Sequence, residues 1–478
     1  GTTKERLLAR LHRAGHAYAK VTGRVEINRD ALTAHVVLSA TPGPKVRFGP
    51  AKFVGAGKLP IGKLQRQVAW RAGDAYTPDA LAHTRVALFN QQVFSSVSLD
   101  LPTRPKETAP VKITVAPAKL HELRLGGGIG IERKRHEIRL RGIWRVRNFL
   151  GGLRVLTLRV QPAFVTIPNF WEHRRTGFAA TNEVELEQPD FFSTRLLAFA
   201  RLGYDLGVHE GYKWHGPRLQ LGLDRVFFKG HVRVGMSWNL QFLDFFAIDA
   251  EAFKNAKTPL LQDFVDPYRV AWFEPFVQLD LRDNALDPRA GFFASLRSEL
   301  GFAVVGGDFD YVKLLPEVRG YIPIGTKRFI LALRGLYGYL KPLSERNNTP
   351  VTRRVFLGGP TSHRGFSFGR LSPQSDGVPL GGNNSLLLSA DLRLRVIKLA
   401  GNWLGLGAFF DAGDVVAEIK DLDLDNLHLA VGGGLSYKTP IGAIRLALGV
   451  RLNRVDDPEP SPDPGSRIAF HLTIGQAF

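Results

Sequence analysis

The 478 residues contain no cysteine, which excludes disulfides, thiol catalysis and cysteine-ligated metal sites together. Long apolar runs are missing as well. Hydrophobic residues make up 44% of the chain, yet no run approaches the ~20 residues that a membrane-spanning helix requires. Residence in a membrane would therefore take a closed β-barrel, in which every backbone hydrogen bond is satisfied between strands. Neither Gly-x-Ser-x-Gly nor a Gly-Lys-Ser/Thr phosphate loop occurs. The run Gly126-Gly-Gly-Ile-Gly130 is not followed by the strand–helix unit that nucleotide binding needs. His12 and His16 have the spacing of half a metal site but lack the further ligands, and read as solvated helix-end histidines. No enzymatic activity, cofactor or metal is expected. The opening Gly1-Thr2-Thr3 carries neither Met nor a signal-peptide hydrophobic region, so a removed leader or a start within a longer protein is expected. The second is favoured by the incomplete N-terminal unit described below.

What the chain does have is alternation. In Arg467–Phe478, residues Ile468, Phe470, Leu472, Ile474 and Phe478 share one parity, while Arg467, Ala469, His471, Thr473 and Gly475 share the other. Strand side chains alternate between faces, so this segment is apolar on one side and small or polar on the other. From His121 onward no helical pattern of any length intervenes. Sixteen alternating segments are read near 121–131, 137–147, 152–163, 176–188, 194–207, 216–228, 231–245, 268–282, 291–303, 308–322, 328–340, 385–397, 403–411, 428–437, 441–452 and 467–478. Their spacing suits tilted spanning strands of ~10 residues. Short connections at 149–152, 228–230 and 438–442 alternate with long ones near 164–175, 246–267, 341–384 and 453–466. Short turns on one side and long loops on the other are the mark of a transmembrane barrel, and a soluble β-sandwich array would not produce them. The expected fold class is a transmembrane β-barrel of 16 antiparallel strands over 121–478.

The net charge of +20 invites a nucleic-acid reading. The basic residues, however, are spread along the chain and many fall on the polar parity of strands: Arg139 and Arg141, Arg393 and Arg395, Arg445 and Arg451. In a barrel such positions face a water-filled lumen, so no nucleic acid is expected.

Ahead of the barrel the pattern is α+β. Residues 4–16 read as a helix with Leu7, Leu8 and Leu11 on one stripe, followed by strands at 17–27 and 33–40. From Lys45 the order is strand (45–54), helix (60–70), helix (78–91), strand (93–101) and strand (110–117). Thr77-Pro78-Asp79 is a helix start, and Leu81, Leu88 and Phe89 a core stripe.

The loop at 341–384 is the longest, about 44 residues, and carries Arg353, Arg354, Arg364 and Arg370. A loop of this length within a membrane protein is functional or disordered. On the next strand the outward run of Leu386, Leu388, Leu392 and Leu394 turns Asp391 inward, and Asp411 lies on the strand after it. Two inward carboxylates on adjacent strands form an acceptor suited to a guanidinium.

These features together resemble the BamA/TamA group of outer-membrane assembly factors. Val355-Phe-Leu-Gly-Gly-Pro-Thr-Ser-His-Arg-Gly-Phe366 is similar to that family's sixth-loop signature, with His363 where Val is more familiar. Leu281–Phe292 resembles its periplasmic turn, and Ala408–Val415 and Gly432–Gln476 its last strands. The aromatic end at Phe478 is similar to the signal strand of outer-membrane barrels. The β-α-α-β-β order of 44–118, with Gly73-Asp-Ala-Tyr76 and Leu88–Phe94, resembles a POTRA domain, although Gln92-Val93 replaces its usual Gly. Residues 1–43 resemble the back half of another. The Gly475–Phe478 ending and the ratio of POTRA to barrel look closer to TamA.

The resemblance implies that the sixth loop folds into the lumen, with Arg364, Gly365 and Phe366 as a lock against Asp391 and Asp411. It implies bacterial outer-membrane residence, N-terminal domains in the periplasm, and contact with outer-membrane lipid and lipopolysaccharide. Unfolded client proteins and a periplasmic partner that docks on the POTRA region are implied too. The client-docking edge is expected at Val93, Phe94, Val97 and Leu99. A weak lateral seam is expected between the first and last strands, where Gly126, Gly127, Gly128 and Gly130 face Gly475 and Phe478. The expected function is insertion or export of client proteins. The alternatives are a two-partner secretion pore that passes an unfolded substrate through its lumen, and a passive porin.

Overall fold

A computed structural model describes residues 2–30, 33–132, 134–249, 266–326, 328–344, 349–375, 377–439, 442–453 and 467–475. The chain divides into two compact units.

The first comprises residues 1–122 with the turns 145–156 and 188–195. It begins with α1 (Thr2–Arg13) and the hairpin of β1 (Lys20–Asn28) and β2 (Thr33–Thr41). Then come β3 (Arg47–Val54), α2 (Ile61–Gln65), α3 (Pro78–Phe89), β4 (Phe94–Asp100) and β5 (Thr108–Pro117). The three strands form one sheet in the order β3-β5-β4, with β3 parallel and β4 antiparallel to the central β5. Thr77 Oγ1 accepts the Ala80 N–H at 3.3 Å and Pro78 fills the first turn, so α3 starts where the sequence placed it. The expected helix at 60–70 is shorter: only 61–65 is helical, and the Ala69 N–H is taken by Thr84 Oγ1 instead of a helical carbonyl. Leu88 is buried against Phe48, Leu64, Trp70 and Ile113, whereas Phe89, expected in the same stripe, is exposed. Within this unit the turns are part of the core. Leu153 is fully buried, and Asp190 accepts from Gln67 Nε2 at 2.6 Å and Gln91 Nε2 at 3.1 Å.

The second unit holds the barrel. Its strands are β6 (His121–Glu132), β7 (Arg135–Arg147), β8 (Val155–Pro168), β9 (His173–Gln188), β10 (Leu196–Val208), β11 (Lys213–Phe227), β12 (Val232–Phe246), β13 (Tyr268–Asp280), β14 (Gly291–Gly301), β15 (Tyr311–Pro323) and β16 (Phe329–Pro342). After a loop containing the two-residue strands β17 (Gln374–Ser375) and β18 (Val378–Pro379) come β19 (Asn384–Leu399), β20 (Asn402–Val416), β21 (His428–Thr439), β22 (Gly442–Arg451) and β23 (Ile468–Gly475). The sixteen strands from β6 to β16 and β19 to β23 form one closed barrel in chain order, with β23 antiparallel to β6.

Every expected segment is a strand, and most run longer than expected. The long connection expected at 164–175 shrinks to Asn169–Glu172, because β8 and β9 both continue through it. Outward positions are apolar and exposed, as at Leu123, Leu125, Ile138, Leu140 and Trp144. The inward arginines do more than meet water. Arg159 reaches Glu183 and Glu185, Arg201 meets Glu185 at 2.6 Å, and Arg218 meets Asp205 at 2.9 Å. Arg334 and Arg319 both meet Glu317 at 2.7 Å. Adjacent strands thus neutralise much of each other's charge in a ladder around the wall.

Candidate functional site: the loop inside the barrel and the strand seam

The loop between β16 and β19 is held in a fixed path by its own backbone. Val355 exchanges hydrogen bonds with Gly382, and Leu357 with Leu371, at 2.9–3.1 Å. Phe366 and Leu371 are buried in a cluster with Leu387 of β19 and Val415 of β20, so the Arg-Gly-Phe turn is packed against the barrel wall. At Gly358 the φ of +109° and a carbonyl 2.2 Å from where a Cβ would sit leave room only for glycine. Gly365, expected to permit a tight turn, has a different reason. Its backbone lies so close to β21 that an added Cβ would be 2.7 Å from Ala430 Cβ.

Arg364 is the centre of the turn. Its Nε and Nη2 donate to Asp411 at 2.8 and 2.6 Å, Nη1 donates to Asp391 at 2.6 Å, and its backbone N–H donates to Asp411 at 2.9 Å. The guanidinium lies 3.8 Å over the Phe409 ring. Register explains the convergence. Asp391 pairs with Phe409, and Ser389 with Asp411, so the two acids stand diagonally across the β19–β20 ladder with Phe409 between them. Burial alone would lower the Arg364 pKa, but the hydrogen bonds and negative charge of Asp411 and Asp391 hold it above its ordinary value. The site is thus a charge-assisted fork on a carboxylate whose side chain is wholly buried.

His363 is fully buried, and its Nε2 donates to the His428 carbonyl at 2.9 Å. Burial pushes its pKa down. Three further arginines fix the rest of the loop. Arg353 Nε donates to Glu299 of β14 at 2.9 Å, and its guanidinium lies 4.1 Å over Trp272 of β13. Arg354, whose pKa burial lowers to about 10, donates inside the loop to Thr349 and to the Leu380 carbonyl. Arg370 meets Glu210, beyond β10, at 2.8 Å. The Glu299 and Glu210 contacts were not legible in the sequence, because only closure of the barrel brings those walls to the loop. The inward parity of Glu299 was the available signal.

Residues 272–478 match the family model of the Omp85 superfamily domain. That span begins within β13 and holds the loop and both acids. Over that part the chain is similar to an Omp85 barrel. The outer membrane protein assembly factor BamA of Nitratidesulfovibrio vulgaris is 22% identical over 483 residues, a match that covers 97% of this chain and 55% of the relative. The chain therefore spans about half that relative's length. A mouse sorting and assembly machinery component 50 homolog is 35% identical over 105 residues, 22% of each protein. In fold, BamA from Haemophilus ducreyi lacking POTRA domains 1–3 superposes with a TM-score of 0.71 at 15% identity, over 98% of this chain and 92% of that one. CdiB from Acinetobacter baumannii superposes with a TM-score of 0.59 at 13% identity, over 99% and 80%.

The barrel closes between β23 and β6. Among the described residues, β23 and β6 share five pairs, from His471–Glu132 to Gly475–Gly128. The neighbouring β22–β23 ladder has eight and the β19–β20 ladder fifteen. Gly128 faces Gly475, and Gly130 faces Thr473, while Gly126 and Gly127 lie past the last described pair. Phe478 is outside the described residues. The atoms nearest to a Cβ on Gly130 would belong to Glu137 and Arg139 of β7.

In the N-terminal unit β4 is an edge strand of its sheet. The side chains of Val93, Phe94 and Leu99 are buried in the unit's own core and Val97 packs against it. They are not an exposed docking face, so any strand that docked here would bond the backbone of β4 alone.

Proposed function

We propose that this protein is an outer-membrane assembly factor that inserts client proteins into the bilayer by parting the seam between β6 and β23. The observation that carries this reading is the glycine content of the seam, where Gly128 pairs with Gly475 and Gly130 with Thr473, so that few side chains pack across it. A β-barrel otherwise has no open edge. Parting this ladder exposes two edges, on which a client strand can form backbone hydrogen bonds by β-augmentation. The assembly roles in the names of the BamA and component 50 relatives support the same reading. The barrel lies in the bacterial outer membrane, in contact with lipid and lipopolysaccharide, with the N-terminal units in the periplasm. Residues 44–118 serve as a POTRA-type domain and 1–43 as the back half of another, and the β4 edge receives an unfolded client or a periplasmic partner. The loop held by Arg364 keeps the resting barrel from acting as a porin.

The secretion-pore alternative, in which substrate passes along the lumen, predicts a different response to a locked seam. With no native cysteine, Ile129→Cys with Ile474→Cys places one pair of thiols on partnered residues. Oxidation should stop client insertion into proteoliposomes, and reduction should restore it. Normal insertion through a disulfide-locked seam would overturn lateral opening, and continued substrate export through that locked barrel would favour the lumen route.

A further inference from the structure

The Arg364 turn does more than occupy the lumen, because its two flanks reach opposite sides of the seam. On the last strand, His471 Nε2 donates to the Arg364 carbonyl at 3.2 Å. On the first, a Glu132 carboxylate oxygen accepts the Phe368 N–H at 2.9 Å. His471 and Glu132 are themselves the final pair of the β23–β6 ladder, both buried, with His471 Nδ1 3.8 Å from the Glu132 carboxylate. Arg135 of β7 lies 5.1 Å over the Phe368 ring, on the same side as Glu132. The fit against the closing strands is close. A Cβ on Gly449 of β22 would sit 2.2 Å from the Arg364 carbonyl oxygen, so only glycine there lets the loop come within reach of His471.

We infer that residues 364–368 form an internal clasp over the seam, with Glu132 and His471 as the positioning residues that tie the first and last strands to the loop. The inference rests on the seam reading above and specifies its control. Neither Glu132 nor His471 can move outward with its strand while the loop stays in place. The loop in turn is held by Arg364 on Asp411 and Asp391. Release of Arg364 therefore precedes parting of the seam, and the same five-residue segment is both the lock and the bridge. The hydrogen bonds involved are few and buried. Each such bond is worth on the order of 1 kcal/mol net, enough to shift an opening equilibrium about fivefold.

The test reads seam closure directly, without any client. In the Ile129→Cys/Ile474→Cys background, the rate of disulfide formation under limiting oxidant reports how much of the time the strands are paired. Glu132→Leu and His471→Phe should each slow it, by at most about fivefold. Glu132→Gln, which keeps an oxygen that can accept the Phe368 N–H, should restore the parent rate and shows that the site tolerates substitution. Adding Glu132→Leu to Arg364→Ala should produce little further slowing, since the loop has already left. Parent-like rates in both Glu132→Leu and His471→Phe would overturn the clasp. So would equal slowing by Glu132→Leu and Glu132→Gln, or full additivity with Arg364→Ala. Failure of the insertion reading shows separately, as clients inserted by a barrel whose seam is already disulfide-locked.

Discussion

Replacing Arg364 by alanine should release the loop, and the structure says which carboxylate sets the magnitude. Asp391 keeps Arg393 at 2.9 Å after the change and remains compensated. Asp411 does not. Its side chain has no exposed surface, and of its Arg364 contacts only the backbone N–H would survive. Breaking a buried ion pair by removal of one partner costs ~3–5 kcal/mol. The surviving backbone bond argues for the lower end, about 3 kcal/mol, which is a change on the order of a hundredfold in the docked-to-released ratio. Loss of the 3.8 Å packing on Phe409 acts in the same direction. Arg364→Lys should fall between, since an ammonium cannot form the two-pronged contact with Asp411 while also reaching Asp391. Arg364→Ala with Asp411→Asn should recover part of the loss, because the neutral amide is cheaper to leave buried. The assay is paired: heat-induced unfolding followed by gel mobility, and limited proteolysis of the loop in folded barrels. A variant Arg364→Ala that melts with the parent and resists protease equally would refute the reasoning.

Two further outcomes are expected. Ser96→Pro and Ser98→Pro, two residues apart on the edge strand β4, each remove an N–H and should reduce client cross-linking while the barrel stays folded. Unchanged cross-linking in both would show that this edge is not the docking surface. His363, whose pKa burial lowers in the docked loop, regains an ordinary value near ~6.5 when the loop is released. The released loop then binds more protons than the docked one, so docking is fully favoured above about pH 6.5 and weakens as pH falls toward the lowered value. Protease sensitivity of the loop should rise across that interval, and His363→Gln should flatten the rise.

The alternation of apolar and polar residues was enough, by itself, to specify sixteen strands and which face of each meets lipid, because strand side chains have a period of two. It also placed Asp391 and Asp411 on the inner face, whereas the pairing of Arg364 with them was implied by the family resemblance and not by parity. It could not state where a strand stops. β8 and β9 extend through residues that lack a strong pattern, because pairing with a neighbour sustains a strand where its own sequence is indifferent. It placed the strand of Val93, Phe94 and Leu99 at the sheet edge, where β4 lies, but not the burial of their side chains in the sheet's own core. Nor could parity assign partners: inward is a direction, and the residue found there depends on the curvature, stagger and closure of the whole wall. Glu299 under Arg353, Glu210 under Arg370, and Glu132 and His471 beneath the Arg364 turn are separated by tens to hundreds of residues from what they hold. Only closure of the barrel, with a loop threaded back through its lumen, brings them into hydrogen-bonding distance.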